Sequence, residues 1–278
     1  MNMIICGEPC IHQHDGCCGL HGAGVITNTT ASPCRISHRR RSALMKESRN
    51  VNQANGNALI NAADISRHYT MADGTVQALD NVSLTVNVGE FIAITGPSGS
   101  GKSTLMNILG LLDTCDSGTY MFSGLDTKTL ADNELSRIRN ERIGFIFQSF
   151  NLIPTLSVVE NVALPLTYRG IPTAKRLERS LSALEAVGLS GRLSHKPYEL
   201  SGGQQQRVAI ARAIAADPDL ILADEPCGNL DSRSGKEVME LLLSRHKCGK
   251  TVILITHSLS DAKYADRILT VCDGKLYK

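Results

Sequence analysis

Residues 91–105 read FIAITGPSGSGKSTL, and this stretch decides the fold. Its apolar start predicts a buried strand, and an apolar pattern with helical spacing follows Lys102. Between strand and helix the spacing is G-x-x-x-x-G-K-S, from Gly96 to Ser103. Glycines there allow consecutive backbone N–H groups to turn inward at the positive end of the helix, where such groups bind phosphate. The stretch therefore predicts a polyphosphate-binding loop.

Two side chains of this loop have separate predicted roles. Lys102 supplies a point charge for the β- and γ-phosphates, and the Ser103 hydroxyl is suited to ligate Mg²⁺. A chance turn rich in glycine and serine is the alternative, but a strand before the loop and a helix after it favour the phosphate site. The predicted nucleotide-binding positions are Gly96, Pro97, Ser98, Gly99, Ser100, Gly101, Lys102, Ser103 and Thr104.

Composition narrows the class of protein. The chain has 278 residues, 42% of them hydrophobic, which allows one large or two small globular domains. With 29 basic and 27 acidic residues the net charge is +2, which argues against an electrostatically driven nucleic-acid binder. No apolar run approaches the length of about 18 residues that spans a bilayer. Residues 1–5 are too short for a secretory signal, so we expect a cytosolic protein whose membrane role comes through a partner.

Residues 1–56 differ in composition from the remainder and predict a disordered extension. Five of the nine cysteines fall before residue 35. Together with nearby histidines they could bind zinc or copper, but C-x3-C-x6-C-C lacks the paired spacing of a structural zinc site. A second alternative is that translation begins at Met45. The four later cysteines are expected to be free thiols in a reducing compartment.

From residue 59 onward, strand patterns and helix patterns alternate. Alternation of apolar and polar residues at 59–69 and 76–88 predicts antiparallel strands. Further strands are expected at residues 118–122, 143–147, 220–223, 251–256 and 268–272. Helices are expected after the phosphate loop and at residues 132–141, 204–216 and 234–246. Such alternation around a phosphate loop predicts a parallel α/β sheet.

Residues 151–200 interrupt the α/β alternation. The segment contains four prolines, and helical patterns occur at 158–166 and 174–187. It therefore predicts a helical insertion in the α/β core.

Two other stretches carry chemistry. Asp224 and Glu225 end the apolar run at 220–223, and acids beside a phosphate loop hold the hydration shell of Mg²⁺ and polarise water for attack on the γ-phosphorus. A solvated turn is the alternative. Residues 201–203 (SGG) precede a helix and leave N–H groups exposed at its positive end, which predicts a second anion site. An ordinary N-cap would explain Ser201 but not the double glycine.

The motifs GPSGSGKST, FQ, LSGGQQQR, LADEP, GNLD and TH occur in this order. At these separations they resemble the ATP-binding subunit of ABC transporters, over about residues 58–278. LSGGQ is specific to ABC ATPases. The resemblance implies a phosphate-loop NTPase (RecA-like) core with an antiparallel β subdomain, and ATP and Mg²⁺ as cofactors. It implies an ATPase domain at 57–278, with the helical subdomain inserted at about 150–203.

The resemblance also implies roles for single residues around one nucleotide. Tyr69 matches the aromatic residue that stacks on adenine. Gln148 matches the glutamine that touches Mg²⁺ or the attacking water and relays the nucleotide state to the membrane subunit. His257 matches the histidine that contacts the γ-phosphate and orients the water, beside Glu225 as the catalytic base. Ordinary alternatives are a strand residue for Tyr69 and a helix cap for His257. The expected metal ligands are Ser103, Gln148 and Asp224.

Other matched residues imply a site built from two chains. In the family, one group caps the γ-phosphate held by the other copy of the dimer, and its members here are Ser201, Gly202, Gly203 and Gln204. Asp231 matches the acid that bridges the dimer. The implied assembly is a homodimer around two ATP molecules that drives a separate transmembrane permease, without nucleic acid. The implied location is peripheral, at the cytoplasmic face of the inner membrane.

Longer stretches such as GFIFQSFNLIPTLSVVENVALPL resemble the macrolide-exporter and lipoprotein-release group of ABC ATPases. This narrower resemblance implies export, lipoprotein release or mechanotransmission. One departure is Cys227, which stands where relatives usually carry Thr or Ser. A thiol there is expected to tune hydrolysis or to make it sensitive to oxidation.

Two competing functions fit the sequence less well. A soluble ABC ATPase of DNA repair would need a long coiled coil, and one of translation would need two copies of the domain. The segment 151–200 is short, and the chain has one phosphate loop. A switch GTPase would leave LSGGQ unexplained.

Overall fold

The computed structural model of the chain describes residues 57–71 and 74–278, and these contain ten strands and seven helices apart from short 3-10 turns. The strands are β1 Ala58–Met71, β2 Gly74–Asn87, β3 Phe91–Thr95, β4 Ser117–Phe122, β5 Leu125–Asp126, β6 Ile143–Ile146, β7 Leu220–Asp224, β8 Thr251–Ile255, β9 Arg267–Cys272 and β10 Lys275–Tyr277. The helices are α1 Lys102–Leu109, α2 Asp132–Arg142, α3 Val158–Tyr168, α4 Thr173–Ala186, α5 Gly202–Ala215, α6 Ser232–Lys247 and α7 Leu259–Ala262.

The strands form two sheets. A six-stranded sheet has the order β10-β9-β3-β8-β7-β6, in which all neighbours are parallel except β10, which is antiparallel to β9. A four-stranded sheet has the order β2-β1-β4-β5, and its neighbours are antiparallel. The predicted α/β core and the predicted antiparallel strands before the phosphate loop are confirmed.

Burial explains why the strands have different sequence patterns. Every residue of β3 and β8 is buried, as expected for central parallel strands covered on both faces. In β2, by contrast, buried and exposed residues alternate from Val82 to Asn87, because one face packs on the core and the other meets solvent.

Several element boundaries differ from the sequence prediction for local reasons. α5 begins at Gly202 and α6 at Ser232, each two residues earlier than predicted, because Ser201 and Asp231 cap them. The sequence did not predict β5, β10 or α7, which have only two, three and four residues. The extension predicted for residues 1–56 and its metal-binding alternative lie outside the described residues.

Helices α3 and α4 lie in the segment where the sequence predicted helices, between β6 and α5. A capping box starts α3, in which the Ser157 backbone N–H donates to Glu160 Oε2 (2.7 Å) and the Ser157 Oγ accepts from Glu160 N–H (3.4 Å). Asn161 in this helix is fully buried. Its Nδ2 donates to the carbonyl oxygens of Ile153 (3.1 Å), Leu156 (3.1 Å) and Ser157 (3.0 Å), and its Oδ1 accepts from Ile153 N–H (2.8 Å).

Asn161→Ala is expected to lower the free energy of unfolding by about 2–4 kcal/mol, because it leaves several buried backbone groups without a partner. Urea unfolding of both proteins measures the difference. Asn133→Ala, at an exposed position of α2, is the matched control and should change stability by less than about 0.5 kcal/mol. Equal stability of the two variants would contradict the role given to Asn161.

Candidate active site

The carboxyl ends of four neighbouring parallel strands bring the predicted catalytic groups to one edge of the sheet. The phosphate loop, residues 96–104, follows β3, and His257 follows β8. Glu225 follows β7, and Gln148 lies two residues beyond β6. Because β3, β8, β7 and β6 are adjacent in this order, the four groups lie along one line, here termed the carboxyl edge. Ligands of parallel α/β sheets bind at this edge.

The backbone of the phosphate loop requires glycine at two positions. Gly96 has φ +147° and Gly101 has φ +105°. A Cβ atom at Gly96 would overlap the carbonyl oxygen of Val271, and one at Gly101 would overlap that of Ala78. Gly101 is also the N-cap of α1 and offers no side-chain cap, so the first N–H groups of the helix remain available to an anion.

The polar groups of this loop fit a phosphate chain. Lys102 Nζ donates to the carbonyl oxygens of Gly96 (2.9 Å) and Pro97 (2.7 Å), which holds the ammonium group over the loop. The Ser100 hydroxyl is buried and has no hydrogen-bond partner among the described residues. An anion in the loop would meet the lysine charge and the uncapped helix end together.

The acids at the end of β7 fit a divalent cation. Burial and then the charge of Glu225 raise the pKa of the Asp224 carboxyl, whereas Lys102 acts in the opposite direction. A cation beside Asp224 would oppose this rise by stabilising the ionised carboxylate. Ser103, in the first turn of α1, has an exposed side chain. Mg²⁺ is a hard cation that binds oxygen ligands, and this site offers carboxylate and hydroxyl oxygens.

Glu225 is held by the segment that follows β8. Its Oε1 accepts a hydrogen bond from the His257 backbone N–H (3.0 Å) and lies 2.9 Å from His257 Nδ1. The Glu225 side chain is 15% exposed and that of His257 is 71% exposed, so the carboxylate is sheltered while the imidazole faces outward. Glu225 also has φ +44°, an uncommon backbone conformation that recurs at functional sites.

Gln148 is paired with Asn229, a residue for which no role was predicted. Its Nε2 donates to Asn229 Oδ1 (3.3 Å), and Asn229 Nδ2 donates to the Gln148 carbonyl (3.1 Å). A Cβ atom at Gly228 would lie 2.8 Å from Gln148 Nε2, so a larger residue there would displace the Gln148 amide. The GNLD motif, which contains Asn229, was the sequence feature that could have indicated a role for this residue.

The SGGQ segment, residues 201–204, lies at the start of α5 rather than at the carboxyl edge. Ser201 caps α5: its Oγ accepts from Gln204 N–H (3.3 Å), and Gln204 Oε1 accepts from Ser201 N–H (3.0 Å). A Cβ atom at Gly203 would lie 2.6 Å from Ser234 Oγ, whereas the nearest atom to one at Gly202 is 3.6 Å away. Packing among the residues that the structure describes therefore explains Gly203 but not Gly202.

The other predicted site residues also have contacts within the chain. Asp231 caps α6 by accepting from the N–H groups of Arg233 (3.1 Å) and Ser234 (3.0 Å). Tyr69 lies on β1, in the four-stranded sheet. The cap of α7 is Ser258, so the alternative interpretation of His257 as a helix cap is wrong.

The family follows from comparison with known proteins. Residues 79–228, more than half of the chain, match the family model described as ABC transporter. The chain belongs to the ABC transporter family. Among the described residues of this ABC protein, none of the helices combines the length and the apolar character needed to cross a membrane.

Relatives of two kinds are similar to this ABC protein. An uncharacterised ABC transporter ATP-binding protein of Thermotoga maritima is 48% identical over 213 residues, which cover 77% of this chain and 91% of that protein. The macrolide export ATP-binding/permease protein MacB of Brucella melitensis is 51% identical over 221 residues, which cover 80% of this chain and 34% of MacB. The chain thus spans about a third of the length of the ATP-binding/permease relatives that it matches.

Two solved structures agree with the fold. The dimeric structure of MJ0796, described as a bacterial ABC transporter cassette, is 44% identical with a TM-score of 0.74 and covers 79% of this chain and 97% of that one. A dimeric post-hydrolysis state of the same cassette, bound to ADP and Pi, is 43% identical with the same TM-score and the same coverage of both chains. The predicted fold class is confirmed, and the protein is an ABC-type ATPase.

The surroundings of Cys227 in this ABC ATPase favour the first of its two expected effects, tuning of hydrolysis, over sensitivity to oxidation. Burial, with the nearby charges of Asp261 and Glu225, raises the pKa of the Cys227 thiol to about 12. Its Sγ donates to the Gly235 carbonyl (3.5 Å). Since the thiolate is the form that reacts, we expect Cys227 to be protonated and slow to react near neutral pH.

Iodoacetamide at pH 8 is expected to alkylate Cys227 at least about a hundredfold more slowly than the exposed Cys248, because so little thiolate forms. The rate at Cys227 should rise with pH as the thiolate fraction grows. Peptide mass spectrometry over time measures both rates, and unfolded protein, in which the two should react alike, is the control. Equal rates in folded protein would contradict the raised pKa.

Proposed function

We propose that this ABC ATPase closes as a homodimer around two ATP molecules and that closure and reopening drive a separate permease. The observation that carries the proposal is the division of the site. Phosphate-binding and catalytic groups share the carboxyl edge, whereas the SGGQ segment lies at the start of another helix. One chain would therefore supply half of each ATP site.

The carboxyl edge suits in-line attack of water on the γ-phosphorus. Lys102 and the backbone of the phosphate loop hold the β- and γ-phosphates. Glu225, fixed by the His257 backbone, takes the proton of the attacking water while the bond from the γ-phosphorus to the bridging oxygen breaks. His257 orients the water and contacts the γ-phosphate. ADP and phosphate leave as products.

Three residues would hold Mg²⁺ in this site: Ser103, Gln148 and Asp224. When bound, Mg²⁺ neutralises negative charge on the phosphate oxygens. Gln148 would sense the nucleotide, and its pairing with Asn229 links it to the segment that leads to Asp231.

The second half of the site would come from the partner. Among the described residues, Gly202 has no neighbour close enough to require glycine, which fits an approach by the partner's nucleotide. The Ser201 hydroxyl and the N–H groups of Gly202 and Gly203 would then face the γ-phosphate, with the Gln204 side-chain amide beside them. Asp231 would bridge the two copies. The dimeric form of the similar cassette MJ0796 supports this assembly.

Macrolide export by relatives named MacB supports an export role for the whole assembly. Lipoprotein release and mechanotransmission are finer alternatives within the same proposal. The permease would be a separate subunit, and the ATPase would lie at the cytoplasmic face of the inner membrane. We further propose that residues 57–278 form the ATPase domain, that residues 150–203 move as a helical subdomain and that residues 1–56 are an extension.

Photo-crosslinking tests the permease. Ile153, five residues after Gln148, is 38% exposed and suits a benzoylphenylalanine substitution. In native membranes we expect a nucleotide-dependent crosslink to a transmembrane protein with a large extracytoplasmic domain, identified by mass spectrometry. A matched substitution at Tyr277, which is 53% exposed at the C-terminal strand, should not give this product. Absence of any membrane-protein crosslink at Ile153 would contradict the proposed partner.

A further inference from the structure

Arg67, on β1, forms a fork with the acids that follow α1. Its Nε and Nη2 donate to the two carboxylate oxygens of Asp113, at 3.1 and 2.9 Å. Its Nη1 donates to Asp116 Oδ1 at 2.6 Å. Two parallel hydrogen bonds from a planar guanidinium fix both distance and orientation, which a single ion pair does not.

The same fork holds the ring of Tyr69. The Tyr69 hydroxyl donates to Asp113 Oδ2 at 2.8 Å, and the Arg67 guanidinium carbon lies over the ring, 5.0 Å from its centroid. Cation–π stacking at this distance is attractive. Arg67 covers one ring face, so an incoming base would meet the opposite face.

Asp113 joins this ring to the helix of the phosphate loop. Its backbone N–H donates to the carbonyl of Asn107 (3.2 Å), a residue of α1. α1 begins at Lys102. On the other side, Asp116 N–H donates to the carbonyl of Ser66 on β1 (2.9 Å). The strand that carries Tyr69 and the helix that carries the phosphate-binding lysine are thus bound through one short segment.

The charges of this network support one another. Hydrogen bonding to Asp116 is the largest cause that raises the pKa of Arg67. The hydrogen bond from the His68 backbone N–H, at 2.6 Å, is the largest cause that lowers the pKa of Asp116. The side chains of Arg67 and Asp116 are therefore both charged at neutral pH.

We propose that Arg67 and Asp113 are positioning residues that hold the Tyr69 ring at a fixed place relative to the phosphate loop. The inference rests on the adenine-stacking role proposed above for Tyr69. A ring ordered before ATP arrives loses less conformational entropy on binding, so the base adds more to affinity. The contribution of Arg67 and Asp113 therefore appears only with ligands that carry a base.

Calorimetric titration of the full chain with ATP and with inorganic tripolyphosphate tests this inference. Arg67→Lys keeps the charge but loses the fork, and we expect it to weaken ATP binding about three- to tenfold. Asp113→Asn should act in the same direction. Both variants should bind tripolyphosphate within about twofold of the parent, which also reports an intact fold. Arg137→Ala, an exposed arginine of α2, is the matched control and should change neither affinity.

A double-variant cycle separates this inference from the role of Tyr69. Tyr69→Ala should weaken ATP binding and leave tripolyphosphate binding intact. In that background Arg67→Lys should have no further effect, because the ring through which it acts is gone. The inference is overturned if Arg67→Lys leaves ATP affinity unchanged or weakens the binding of ATP and tripolyphosphate equally. It is also overturned if Arg67→Lys weakens ATP binding as much in the Tyr69→Ala background as in the parent protein. If Tyr69→Ala itself leaves ATP binding unchanged, the proposed role of Tyr69 is wrong and the inference falls with it.

Discussion

Glu225→Gln is expected to lower the rate of ATP hydrolysis by about three orders of magnitude, because a positioned general base contributes about that much. ATP binding should persist, since the phosphate loop is untouched. The His257 backbone N–H now donates a hydrogen bond to Glu225 Oε1, and the amide oxygen of the variant can still accept it. The local fold should therefore be kept. Phosphate release measures turnover, and calorimetry measures affinity.

Glu178→Gln is the matched control for this prediction. Glu178 is exposed on α4, away from the carboxyl edge. The Glu178→Gln variant should therefore hydrolyse ATP at the same rate as the parent protein. Near-parent turnover in Glu225→Gln would mean that another group accepts the proton. Asp224, the acid that precedes Glu225 at the end of β7, would then be the alternative base.

Gly202→Asp is expected to lower turnover by at least about a hundredfold, because it puts an unpaired negative charge where the partner's γ-phosphate would lie. The monomer should fold and bind ATP with unchanged affinity, since the nearest atom to a Cβ at this glycine is 3.6 Å away. Turnover, ATP affinity and melting temperature together test the prediction.

Two further glycine variants sharpen this test. Gly191→Asp adds the same charge at an exposed glycine whose Cβ position has no atom of a described residue within 4 Å, and turnover of this variant should be unchanged. In Gly203→Ala the new Cβ atom would lie 2.6 Å from Ser234 Oγ, so this variant should have a lower melting temperature than the parent. Gly202→Asp should not. Normal turnover in Gly202→Asp would remove the SGGQ segment from the partner's site.

Most of the carboxyl edge could be predicted from the sequence because its information is local. Each strand and the site residue that follows it lie within about ten positions of each other in the sequence. Parallel pairing then brings the ends of these strands to the same edge of the sheet. The phosphate loop, Asp224 and Glu225 are of this kind, whereas the roles expected for Gln148 and His257 came from the family resemblance. The paired acid and histidine follow from β7 and β8 being neighbours.

The contacts that support the site were not predictable in this way. Arg67 and Asp113 are 46 positions apart in the sequence, and their pairing depends on how β1 lies against the end of α1. Asn161 reads as a polar residue in a helix, yet it is fully buried because the preceding loop folds back on it. Short elements such as β5 and α7 are too brief for a periodic pattern.

Sedimentation velocity of Glu225→Gln protein tests the shared ATP site most directly, because this variant should hold ATP without consuming it. The two-chain site predicts a dimer with ATP and mainly monomer with ADP, since only ATP carries the γ-phosphate that joins the phosphate loop of one copy to the SGGQ segment of the other. In the Gly202→Asp, Glu225→Gln double variant, the protein should stay monomeric with either nucleotide. An oligomer of the same size with ATP, with ADP and without nucleotide would contradict the two-chain site.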